Sequence, residues 1–316
     1  MLRVYLFFST VTLIAGVTPI AARMATAELP PLTLGFVRFL IAGALLRTTA
    51  RALDMRIPFR REDAGILILL ATLCVPINQV GFLVGVKLAN ASHAAIAYAL
   101  VPVLVYWISL ILKRATLTAR LLTASLLAFL GAVITVASTG RFTISLNGPA
   151  FRMLIGDVLL LSAASSWALF IVFSQPVVKR CGAIQTLTIV FLIGAALDFP
   201  LVLADYGLFQ LRSFDPMSVT WRGLFGFAFI TLVTAYTNYL LWYLVIARYD
   251  VTRSSIAVNA SFLISVGLEA VLFRLPLSWW VLVGSAVLLT GIALSRVHQP
   301  RAEVIQPASP TARQSA

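Results

Sequence analysis

The chain has 316 residues, of which 60% are hydrophobic and 11% charged, with a mean hydropathy of +0.99. A soluble domain carries about 25% charged residues, so this composition excludes a soluble monomer and describes an integral membrane protein. The net charge of +13 does not point to nucleic acid. No zinc finger, helix-turn-helix or aromatic-studded basic domain accompanies it, and arginine in cytoplasmic loops accounts for it.

A helix needs about 20 mostly apolar residues to cross the hydrocarbon core. Ten spans are predicted, at residues 3–22, 32–50, 64–86, 91–112, 118–138, 154–176, 184–204, 222–247, 253–273 and 278–296. The first runs from Val4 straight into a span-length helix, so it reads as a membrane segment and not as a removed signal. Residues 297–316, rich in Pro, Ala, Ser, Gln and Arg, are expected to form a disordered cytoplasmic tail. With the N-terminus cytoplasmic, 16 of the 24 Lys and Arg residues fall on the inner side and 7 on the outer, with Arg38 alone inside a span. That bias places both termini in the cytoplasm.

The third and fourth spans carry the densest polar signal. Pro76 is followed by Asn78 and Gln79, and the next span carries Tyr98, Pro102 and Tyr106 at i, i+4, i+8 spacing. A proline removes a backbone hydrogen bond, which membrane depth tolerates only beside protein or a water-filled cavity. Amides at that depth are not expected to face lipid, so a solute path is sought here first.

An internal repeat runs through the chain. A shift of 160 residues superimposes Asn78 on Asn238, Ile96-Ala97 on Ile256-Ala257, Arg114 on Arg274, Ser125 on Ser285 and Gly131 on Gly291. A shift of 152 superimposes Phe39-Leu40-Ile41 on Phe191-Leu192-Ile193. The expected organisation is a first five-helix repeat over 1–138, a linker over 139–153 and a second repeat over 154–296. Five spans per half is an odd number, so the halves sit in opposite orientations. Inverted repeats are the pattern of alternating-access transporters, with the solute near the midplane. The expected fold class is therefore all-α integral membrane, ten transmembrane helices in two inverted five-helix repeats.

The stretches PPLTLGFVRFLIAGALL (Pro30 to Leu46), SHAAIAYALVPVLVYWISLIL (Ser92 to Leu112) and GDVLLLSAASSWALFIV (Gly156 to Val172), with the glycine-bearing ends LLAFLGAVI and AVLLTGIAL, resemble the drug/metabolite transporter superfamily, in particular its EamA-type ten-helix members. Within it the chain looks most like the bacterial inner-membrane exporters of the aromatic amino acid and paraquat (YddG) type. It departs from the family at Ala15-Gly16, where Trp-Gly is frequent. It departs again at Lys113-Arg114 and Phe273-Arg274, where Gly-Glu is frequent, and at Phe262, where a repeated proline is kept only as Pro102.

The resemblance implies that spans 1, 3, 4, 6, 8 and 9 line a cavity. On those spans the candidate substrate-binding residues are Asn78, Gln79 and Phe82, then Tyr98 and Pro102, then Trp167, then Asn238, Tyr239 and Trp242, and finally Ser255 and Asn259. Amide and hydroxyl groups would fix a small polar head and aromatic walls an apolar body. That suits a neutral amino acid, and through ring faces an aromatic cation as well. Ser255, Asn259, Phe262, Val266 and Glu269 share one helix face.

Intramembrane charges are functional candidates by default. His93 and Glu269 are the candidates for coupling or gating, with an interface contact, a cap or snorkelling as the simpler role of each. Arg38 is expected to find a structural partner or to snorkel, Asp157 to cap the start of the sixth span, and Asp198 to be structural. Cys74 and Cys181 form no framework. With two histidines and no carboxylate cluster, neither a metal, a cofactor nor an enzyme is expected. The expected partners are membrane lipid and a small solute, the expected unit a monomer, and the expected place the bacterial inner membrane. Export, or the carriage of drugs or another metabolite, follows from the resemblance. A same-fold carrier of sugar phosphates would want several Lys or Arg at depth, a channel rings of carbonyl or charged groups, and a membrane enzyme a catalytic cluster.

Overall fold

The computed structural model describes residues 2–55, 61–89, 91–137, 149–208, 214–272 and 279–295. Among these, all regular structure is helical: α1 (Leu2–Glu28), α2 (Pro31–Ala52), α3 (Arg61–Leu88), α4 (Ala91–Ala99), α5 (Val101–Ile111), α6 (Ala119–Ala137), α7 (Pro149–Cys181), α8 (Ala183–Leu208), α9 (Trp221–Arg248), α10 (Val251–Val258), α11 (Ser261–Leu272) and α12 (Trp279–Ser295). Seven segments among the described residues are long and apolar enough to cross a membrane. Three shorter apolar ones, Ile96–Ile111, Ala119–Ile134 and Trp279–Ser295, accompany them.

One of the expected boundaries moves. Helix α7 begins at Pro149, inside the stretch read as linker, with Pro149 at its first position, where a missing N–H costs nothing. Asp157 therefore lies two turns inside the helix, where it cannot cap the N-terminus. The tail from 297 lies outside the described residues.

Where the helices depart from α geometry, they do so at matched places. A π turn spans Leu73–Ile77 in α3, and another spans Phe229–Asn238 in α9. The first contains Pro76, whose missing N–H cannot close the ladder, and the Ser166 hydroxyl donates to the Leu73 carbonyl beside it. The chain breaks between α4 and α5 at Leu100, just before Pro102, and between α10 and α11 at Asn259 and Ala260. Each pair of irregularities is separated by the 160-residue shift read from the sequence.

Helix contacts follow the same symmetry. α2 packs on α8, α6 on α12, α1 on α9 and α3 on α7. Exchanging each helix with its counterpart in the other half leaves this set of pairs unchanged. At the α6–α12 crossing the backbones themselves touch. A Cβ on Gly131 would stand 2.4 Å from the Leu288 nitrogen and 2.6 Å from the Gly284 carbonyl oxygen. Close approach of this kind requires small residues and is how membrane helices gain van der Waals contact without a hydrophobic drive. Large apolar side chains such as Leu13, Ile111, Leu161, Leu203 and Leu282 project from the perimeter, as a lipid-facing surface demands.

Tyr106, read on the same stripe as Tyr98 and Pro102, turns elsewhere. It is fully buried, and its hydroxyl accepts from the Thr118 amide at 2.8 Å and donates to the Thr116 carbonyl at 3.1 Å, holding the α5–α6 turn. Tyr106→Phe would leave that amide without its partner, at a cost of about 1–3 kcal/mol. The expected result is a lower melting temperature in detergent, with saturable transport retained in the folded fraction.

Candidate functional site

Pro19 in α1, the π turns of α3 and α9, and the breaks at Leu100 and Asn259 all fall in the interiors of their apolar segments. Around them lies a cavity of about 190 Å³. All eleven residues named as candidate substrate contacts line it: Asn78, Gln79, Phe82, Tyr98, Pro102, Trp167, Asn238, Tyr239, Trp242, Ser255 and Asn259. They come from α3, α4, α5, α7, α9 and α10 or its C-terminal edge. Helix α1 adds Val11, Ala15, Thr18 and Pro19, and α11 adds Phe262 and Ser265.

The polar wall of the first half is a directed chain of hydrogen bonds. Arg38 Nη1 donates to Gln79 Oε1 at 2.8 Å, Gln79 Nε2 donates to Asn78 Oδ1 at 2.6 Å, and Asn78 Nδ2 donates to the Tyr98 hydroxyl at 2.9 Å and the Ala163 carbonyl at 2.8 Å. The two amide oxygens are thus committed within the protein. The second half is different. Asn238 Oδ1, Trp242 Nε1 and Asn259 Nδ2 are buried polar atoms without hydrogen-bond partners. Buried polar groups are normally satisfied, so orphan groups on residues that line one cavity are the arrangement expected where a ligand completes the bonding.

The apolar wall is aromatic. Trp167 meets Tyr239 edge-on with ring centroids 5.1 Å apart, and Phe82 meets Tyr98 edge-on at 5.5 Å. Tyr239 is held from behind by Phe191 at 5.2 Å and Phe39 at 5.9 Å. Rings locked by neighbouring rings present fixed faces to a flat apolar body or a cation.

Arg38, expected to find a structural partner or to snorkel, has a hydrogen-bond partner in Gln79. It sits mid-way along α2, is 2% exposed, and lines the cavity. Neither the residue's sequence neighbours nor the span periodicity carried that signal, since α2 is not among the helices that the resemblance implied as lining.

His93 is buried, and its Nδ1 lies 2.6 Å from Asp157 Oδ1. The pair joins α4 to α7, and Ala94, the next residue, lines the cavity. Glu269 lies on α11, and its side chain falls outside the described residues. Asp198 is buried with neither carboxylate oxygen hydrogen-bonded. Among the described residues no cluster of His, Cys, Asp and Glu could hold a metal ion.

Comparison with known proteins places these features in a wider set. The profile of the EamA-like transporter family matches residues 2–137 and 154–297. Among curated relatives, an uncharacterized transporter, YetK, of Bacillus subtilis (strain 168) is 22% identical over 300 residues, covering 93% of this chain and 87% of its own. An uncharacterized transporter of Archaeoglobus fulgidus is 21% identical over 277 residues, covering 88% and 92%. One crystal structure superposes with a TM-score of 0.73 at 18% identity, over 92% of this chain and 95% of that one, a likeness of fold alone.

Proposed function

Since the chain belongs to the EamA-like transporter family, and is thus a multi-span membrane transporter of a small solute, we propose that it exports small neutral solutes, amino acids above all, with aromatic and other neutral side chains. The carrier spans the bacterial cell membrane ten times as two inverted five-helix halves, with both termini in the cytoplasm. Alternating access arises from rocking of the halves about the central cavity. The repeat-related π turns and helix breaks, and the self-exchanging pattern of helix contacts, support this layout.

One observation carries the reading: a central cavity with aromatic walls, lined from both halves, on which Asn238, Trp242 and Asn259 carry hydrogen-bonding atoms without partners. A cavity of about 190 Å³ suits a solute of amino-acid size and is small for a nucleotide sugar. Export as the direction comes from the family resemblance.

Uptake by the purified chain in liposomes, with labelled Phe, Met and Thr, tests the proposal. Saturable uptake of at least one is the expected result, and none from folded protein would overturn the amino-acid reading. The same assay with an imposed pH gradient locates coupling. Stimulation by the gradient that disappears in His93→Gln assigns the proton to the His93–Asp157 pair, whereas rates indifferent to the gradient make the protein a facilitator.

A further inference from the structure

We propose that Arg38 is the anion-binding group of the cavity, so that the transported solute carries a single carboxylate, which the guanidinium binds at the level of Gln79 and Tyr98. This rests on the cavity being the solute site and narrows what that site accepts.

Among the described residues, Arg38 is the sole charged one that lines the cavity. A guanidinium stays protonated even when buried, and a charge at membrane depth requires a counter-charge or water. No carboxylate of the described residues pairs with it. Its contacts are the Gln79 amide oxygen and the Phe39 ring, 5.1 Å from its central carbon, while its Nε is buried without an acceptor. Asp198 approaches the same helix. Its Oδ2 lies against Gly35, one turn earlier on α2, yet both its oxygens are without hydrogen-bond partners. Breaking a buried ion pair by removing one partner is strongly destabilising. A cation held here with no counter-charge among the described residues is therefore best explained by one that arrives with the solute.

The neighbouring groups fit the same ligand. The chain from Arg38 through Gln79 and Asn78 to Tyr98 aligns each donor away from the guanidinium, fixing its position while leaving Nε free. The orphan atoms on cavity-lining residues are the donors Arg38 Nε, Trp242 Nε1 and Asn259 Nδ2, against one acceptor, Asn238 Oδ1. Donors outnumber acceptors, as an oxyanion requires. The remaining acceptor and the faces of Trp167 and Tyr239 can receive an ammonium group, so a zwitterionic amino acid satisfies the set. One cation neutralises one negative charge, which disfavours sugar phosphates. An aromatic cation without an acid group would meet an uncompensated positive charge.

The test uses three ligands of one size: L-phenylalanine, 3-phenylpropanoate (acid without amine) and 2-phenylethylamine (amine without acid). Each is scored by competition against labelled L-phenylalanine in liposomes and by thermal stabilisation of the purified full chain. The expected result is that both acids bind and the amine binds at least tenfold more weakly. Arg38→Gln should bind the acids at least tenfold more weakly. It should also melt no lower than wild type without ligand, since it loses an unpaired buried charge, and Arg38→Lys should recover part of the affinity. A purely structural arginine would instead lower the unliganded melting temperature and leave the ligand order intact. Should Arg38→Gln fail to fold, the wild-type ligand order still decides. The amine binding as well as 3-phenylpropanoate overturns the proposal while the amino-acid reading stands, provided that phenylalanine binds. Binding of 3-phenylpropanoate but not phenylalanine overturns the amino-acid reading and leaves the anion site standing. Failure of all three on folded wild type overturns both.

Discussion

Replacing Asn78 with Ala is expected to reduce saturable transport by about tenfold or more and to lower the melting temperature as well. Asn78 is the junction of the polar wall. Its amide nitrogen holds Tyr98 on α4 and the Ala163 carbonyl on α7, and its oxygen holds Gln79. Removing it leaves the Gln79 amide without its acceptor and takes from the Ala163 carbonyl its bond across to α3. An unsatisfied buried group costs about 1–3 kcal/mol, and about 1.4 kcal/mol corresponds to a tenfold change in a binding constant. Tyr98 and Gln79 then lose their fixed positions, and through Gln79 so does Arg38. The repeat-related Asn238→Ala provides the contrast. Asn238 Oδ1 has no partner to lose, so that variant should lose transport with its melting temperature unchanged or raised. Radiotracer uptake and thermal unfolding on the same preparations separate the two.

Gly131→Val is expected to abolish the folded protein altogether, seen as loss of the monodisperse species after extraction from the membrane. The added carbons would overlap the Leu288 nitrogen and the Gly284 carbonyl, which are backbone atoms of α12 and cannot rotate away. Overpacking that side chains can absorb costs about 1–3 kcal/mol. Here the whole α6–α12 crossing must separate, and reciprocally a Cβ on Gly291 would stand 2.6 Å from the Ala124 carbonyl oxygen. Gly65→Ala is the control. Nothing lies within 4 Å of its Cβ position near the start of α3, and alanine's better helix propensity, about 1 kcal/mol, should leave yield unchanged or improved.

Much of the architecture was legible in the sequence because membrane depth narrows the choices. The ladder must close within each apolar stretch, so Pro76 and the amides beside it could belong only at a protein-lined or wet place, and the structure puts Asn78 and Gln79 on the cavity wall. The 160-residue shift that aligned Asn78 with Asn238 also relates the two π turns and the two helix breaks. What the sequence did not convey depends on which face of a helix meets which neighbour. Tyr106 shares a stripe with Tyr98 and Pro102, but the break at Leu100 lies within that stripe, and Tyr106 ends against the α5–α6 turn. Asp157 looked like a cap because Gly156 precedes it, whereas Gly156 serves the close packing of α7 against Ala89 and Gly85. Arg38 sits in an apolar run with no nearby acid in sequence, and only the packing of α2 against α3 brings it to Gln79.

The most direct test of the cavity as the solute site is counterflow of labelled L-phenylalanine in liposomes, compared between wild type and Asn238→Ala at matched incorporation and melting temperature. Saturable counterflow by wild type that falls at least tenfold in Asn238→Ala is the result expected from a solute held among the orphan groups of both halves. Saturable counterflow of equal rate and affinity in the two proteins would contradict it and place the solute elsewhere.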